Sequence, residues 1–112
     1  MLLAPVLLLE PDRDRLTQLS AGLRRAGFDV NAATSIAEIE RWPRGMLVVT
    51  DAQYFTPWWN EVGAAGSVVL AHTQEQGRQA RRNGATTWMF RHCTPGALLQ
   101  VVHWMAGSSR LQ

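Results

Sequence analysis

The chain has 112 residues, 46% of them hydrophobic, which suits one domain with its own core and leaves too little for two. Its 11 basic residues are all arginine, spread from Arg13 to Arg110 with a net charge of only +2. Chemistry that needs a lysine, such as a Schiff base or the Walker phosphate loop, is therefore excluded, and no basic block marks out nucleic acid or a membrane as a partner of this domain. Cys93 is the single cysteine, which excludes an intramolecular disulfide framework and a thiolate metal cluster and suits a reducing cytoplasm.

The opening MLLAPVLLL lacks a basic start and runs straight into acids, so it is not read as a signal peptide, and no apolar run approaches membrane-spanning length. Val6 to Leu9 is short and continuously apolar, the pattern of a strand covered on both faces. From Asp12 to Ala26 the apolar Leu16, Leu19, Leu23 and Ala26 recur at helical spacing, with Asp12 placed as N-cap and Gly27 placed to end the helix. FDVNAAT then alternates, predicting a half-wet strand at a sheet edge. A short helix is expected from Ser35 to about Arg41, closed by Trp42-Pro43.

MLVVTD is a second buried run, and like the first it ends in an acid, Asp51. SVVLA (67–71) and TTWMF (to Phe90) are read as further buried strands, separated by a weak helix in QEQGRQARRNG, and Thr94-Pro95 starts a last helix with Leu98, Val101, Val102 and Met105 on one face. Strands alternating with helices predict a doubly wound α/β domain built on a parallel sheet. In such sheets functional groups gather beyond the carboxyl ends of the strands, where Glu10 and Asp51 both fall. The domain is expected over residues 1–107, with 108–112 a tail or the start of a linker.

The segments VLLLEPDRDRLTQLSAGLRRAGFDVNAATS, GMLVVTDA and NGATTWMFRHCTPGALLQVV together resemble the receiver domain of bacterial response regulators, the CheY-like family. The resemblance implies a five-stranded sheet in the order 2-1-3-4-5 and places Asp51 at the phosphoacceptor position. It implies an acidic pocket formed with Glu10, in which Pro11 stands where a second, magnesium-ligating acid belongs. Proline has no side-chain oxygen, so magnesium is expected only if Asp12 turns back from its cap to replace that ligand. The invariant lysine falls on Arg91, followed by His92 in place of a proline. Arginine keeps the charge but holds its donors in a planar fork. The hydroxyl at the end of the fourth strand falls on Ala71 or His72, with Thr73 usable only in a slipped register, and the switching aromatic falls on Trp88.

The stretch AQYFTPWWNEVGAAG between the third and fourth strands is short and broken by Pro57 and glycines, so the third helix is expected to be short or missing. Its aromatics Tyr54, Phe55, Trp58 and Trp59 either cover a bare sheet face or form an exposed patch for a partner. Arg78, Arg81 and Arg82 form a basic stripe that reads as a partner surface or as a solvated helix face. His72, His92 and His103 lie on separate elements and are not read as metal ligands, and Cys93 is read as a small buried or half-buried residue. Glu10 and Asp51 also have a reading without any phosphate role, as strand-end acids that cap helices or bind water.

These readings converge on an atypical receiver, a pseudo-receiver: a cytoplasmic, non-enzymatic signalling module with no cofactor. It is expected to bind a protein partner, whether a histidine kinase, an output domain or a regulator, and a homodimer is compatible with the same surface. The alternatives are a working receiver phosphorylated on Asp51 with a relaxed metal site, and a flavodoxin-like ligand-binding or enzymatic domain. The last is disfavoured because EPDRDR would repel a phosphate after the first strand.

Overall fold

The computed structural model describes residues 3–40 and 44–110, the side chains of Leu3, Trp58 and residues 108–110 apart. Five strands, β1 (Leu3–Leu9), β2 (Phe28–Ala33), β3 (Leu47–Asp51), β4 (Gly66–Ala71) and β5 (Thr87–Phe90), form one parallel sheet in the order β2-β1-β3-β4-β5. Four α-helices flank it among the described residues: α1 (Arg13–Arg25), α2 (Trp58–Glu61), α3 (Gln74–Arg82) and α4 (Pro95–Arg110). The strand order reverses between β1 and β3, which puts the switch point of the fold between the strands that carry Glu10 and Asp51.

Strand pleating sorts the apolar runs into two layers. Val6 and Leu8, Leu47 and Val49, and Val68 and Leu70 face Leu16, Leu19 and Leu23 of α1 and Leu98, Val102 and Met105 of α4. Leu7, Leu9 and Val48 point the other way, toward Trp59. α1 starts where Asp12 accepts hydrogen bonds from the amides of Asp14 (3.0 Å) and Arg15 (3.3 Å). It ends at Gly27, whose φ of 99° is cheap only for glycine. Thr94 caps α4 through the amide of Ala97 at 3.1 Å. That helix runs on to Arg110, through part of the segment read as a tail.

Three expectations change. In place of the helix from Ser35 there is a single 3-10 turn, Ile36–Glu38, and its expected closure at Trp42-Pro43 lies outside the described residues. β5 is not a buried strand: it lies at the sheet edge, its residues are half-buried, and Phe90 is 52% exposed.

The third change concerns the aromatics. After a 3-10 turn, Ala52–Tyr54, the third helix is indeed short, and α2 has only 4 residues. Trp59 takes over its work. It is fully buried against the sheet, with its indole N–H donating to the Tyr54 carbonyl at 3.1 Å. Trp59 is therefore core and not an interaction surface, because one large side chain covers the sheet face that so short a helix leaves bare. Trp58 has no described side chain.

Candidate functional site

At the carboxyl end of the sheet the backbone brings three charged residues together. Glu10 follows β1 and extends its ladder, its amide donating to the Ala33 carbonyl at 3.1 Å. Asp51 ends β3, and one of its oxygens, Oδ1, accepts the Gln53 amide at 3.0 Å. Arg91 follows β5, its amide donating to the Ala71 carbonyl at 2.8 Å. Both acids are buried, Glu10 at 0% and Asp51 at 1% exposure.

Arg91 lies between them. Its Nε donates to Glu10 Oε1 at 3.2 Å and its Nη2 donates to the same oxygen, while Nε stands 3.4 Å from Asp51 Oδ2. The hydrogen bond it donates to Glu10, and the charges of Glu10, Asp51 and Asp12, raise the guanidinium pKa above its ordinary value against the opposing effect of burial. The backbone that carries Arg91 is tied down in turn: Arg15 of α1 donates through Nη2 to the carbonyls of Arg91 and Cys93. Burial pushes the Cys93 thiol pKa up, with Arg15 pulling the other way.

The other sequence-derived positions fall as follows. Asp12 is spent on the α1 cap and Pro11 offers no oxygen. Ala71 is buried without a hydroxyl, and Thr73 caps α3 through the Gln76 amide at 3.1 Å, which removes the slipped register. His72 comes closest to Asp51 from β4, with Nε2 3.5 Å from Oδ2 and its amide donating to Gln76 Oε1 at 2.8 Å. It thus joins the acidic site: the sequence placed it, with Ala71, at the end of the fourth strand, but not its approach to Asp51. His92 stays exposed, and His103 sets its ring 5.0 Å from that of Phe28.

For magnesium, which takes six oxygens at short range, the set falls short. Glu10 Oε1 is occupied by Arg91, Asp12 is turned to the helix, and no group of three acidic, histidine or cysteine side chains able to hold a metal exists among the described residues.

Trp88 packs flat on α3 at Gly77, where an added Cβ would fall 2.1 Å from the indole. Phe90 meets the same ring edge-on with centroids 5.0 Å apart. Gly77→Ala is expected to cost about 2–3 kcal/mol by overpacking. Thermal unfolding checks this, and most of the loss should return in Gly77→Ala combined with Trp88→Leu. On the same side of the fold Arg81 is drawn back to the carbonyls of Ala85 and Thr86, Arg82 pairs with Glu75 at 3.1 Å, and Arg78 is exposed. The large apolar side chains open to solvent include Phe90 and Trp104, the latter 60% exposed. Neither was singled out from sequence, although Trp104 falls off the apolar face formed by Leu98, Val102 and Met105.

No family model matches the chain, and no curated protein does. Solved structures do match. A response regulator receiver domain protein from Clostridium thermocellum superposes with a TM-score of 0.82 at 17% identity, over 97% of this chain and 98% of that one. The chain has the receiver-domain fold. The receiver fold here is also similar to NtrX from Brucella abortus, with a TM-score of 0.82 and 19% identity over 98% of this chain but 28% of that longer one. An atypical orphan response regulator, described as having a phosphorylation-independent regulatory mechanism, matches with a TM-score of 0.75 and 21% identity over 92% of this chain and 95% of its own.

Proposed function

We propose that this receiver fold works as a signalling interaction module whose pocket does not run magnesium-dependent aspartyl phosphorylation. The observation that carries the reading is the ion pair of Arg91 with buried Glu10, which sets a fixed cation among the carboxylates. Phosphoryl transfer to an aspartate draws on metal and on a cationic side chain free to meet charge as it develops on the phosphoryl oxygens. Here Arg91 is already engaged by Glu10 in the resting state. Atypical orphan regulators of the same fold supply a parallel for control without phosphate.

The partner is a protein, in the cytoplasm, reached through the surface where exposed Phe90 of β5 lies beside Trp88 and exposed Arg78 of α3. A histidine kinase, an output domain elsewhere in a longer chain, or a second copy fits that surface.

Incubation with magnesium and acetyl phosphate, followed by intact mass measurement, is expected to leave the mass unchanged. A stoichiometric phosphate adduct that disappears in Asp51→Asn would establish the second reading, a working receiver with a relaxed site. That reading draws on Asp51 Oδ2, which makes no hydrogen bond among the described residues.

A further inference from the structure

The geometry points to the cleft beside Asp51 as a binding site for a small planar organic cation, one that carries a guanidinium or amidinium group. The cleft, about 320 Å³, runs from Asp51 and His72 between the Ala52–Tyr54 turn and the exposed side of α3. Its volume is in the range of small-ligand pockets, which begins near about 300 Å³. Gln53, Gln76, Gln79 and Asn83 line it, so its walls are carboxamides rather than charges.

The charge at its closed end does not balance. Two buried carboxylates, Glu10 and Asp51, share one guanidinium, and Arg91 gives its hydrogen bonds to Glu10. Asp51 is 1% exposed, lines the cleft, and keeps Oδ2 without a hydrogen bond among the described residues. Its neighbours at ion-pair range are Arg91 Nε at 3.4 Å and the exposed imidazole of His72 at 3.5 Å.

That arrangement selects by chemistry. An anion would meet the Asp51 carboxylate, and an apolar ligand would strip water from the carboxamides of Gln53, Gln79 and Asn83 without replacing their hydrogen bonds. A bare metal ion finds no group of three acidic, histidine or cysteine side chains among the described residues. One N–H of a planar cation matches Oδ2, the oxygen of Asp51 left without a hydrogen bond among the described residues, its other N–H groups match carboxamide oxygens, and Phe55 in the wall offers a ring beside the cation.

The inference shares Asp51 with the proposed function and goes beyond it. Phosphorylation of Asp51 would overturn that reading while leaving the ligand titration equally readable.

The test is an amide NMR titration of the full chain with benzamidine, with benzamide and benzoate as neutral and anionic analogues of the same shape. Benzamidine is expected to give saturable shifts at Gln53, His72, Gln76 and Gln79 with a Kd of about 1–10 mM, as suits a ligand so small. Benzamide should bind at least about tenfold more weakly, the loss of one charged contact, and benzoate should not bind. Asp51→Asn should erase the preference for benzamidine over benzamide. Gln79→Ala, at an exposed position on α3, should weaken binding several-fold. No saturable shift, equal binding of benzoate, or a benzamidine preference that survives both substitutions would overturn the proposal.

Discussion

Arg91→Met is expected to destabilise the domain by about 3–5 kcal/mol, because it leaves two buried carboxylates without their shared cation. The loss should be seen as a lower urea midpoint with little change in slope. Glu10→Gln combined with Arg91→Met should recover most of it, since the neutral amide removes the charge that the guanidinium balanced. Asp51→Asn in the same background should recover less, because Arg91 hydrogen-bonds Glu10 at 3.2 Å but meets Asp51 only at ion-pair range, 3.4 Å. Equal rescue by the two, or simple additivity of Glu10→Gln and Arg91→Met, would mean that the pair is not the coupled unit described. From the arginine side the contribution has no slope at neutral pH. A cation whose folded pKa is raised stabilises fully below its unfolded pKa, and that stability is lost only as pH rises through the raised value.

Trp59→Ala is expected to cost about 3–5 kcal/mol, a large part of the roughly 5–15 kcal/mol that holds a domain together. The indole is fully buried and packs in the layer of Leu7, Leu9, Met46 and Val48, so its removal leaves a cavity that a helix as short as α2 cannot close. Trp104→Ala is the contrast: at 60% exposure it should change stability by no more than about 0.5 kcal/mol. Chemical unfolding of the two variants side by side decides the matter. A loss at Trp59 no larger than that at Trp104 would refute its role as the cover of this sheet face.

Local patterns carried much of the fold. Val6–Leu9, Leu47–Val49 and Val68–Leu70 are short runs apolar at successive positions, the pattern of a strand buried on both faces, and Asp12, Gly27 and Thr94 mark helix ends through chemistry confined to a few neighbouring residues. The edge strand Phe28–Ala33 was legible because alternation reports one wet face. The segment from Ser35 misled, since a few helix-compatible residues do not make a helix unless packing adds to propensity.

The sequence by itself determined that an acid ends each of two apolar strand runs, that Pro11 brings no side-chain oxygen next to Glu10, and that the chain's basic residues are all arginine. Those are matters of side-chain identity and order. Only the tertiary structure decided that Arg91, 81 positions from Glu10, closes onto it, that His72 faces Asp51, and that Trp59 turns inward. Each depends on where separate strands end in space and on how much of the sheet the neighbouring helices leave uncovered, and neither quantity is local to any stretch of chain.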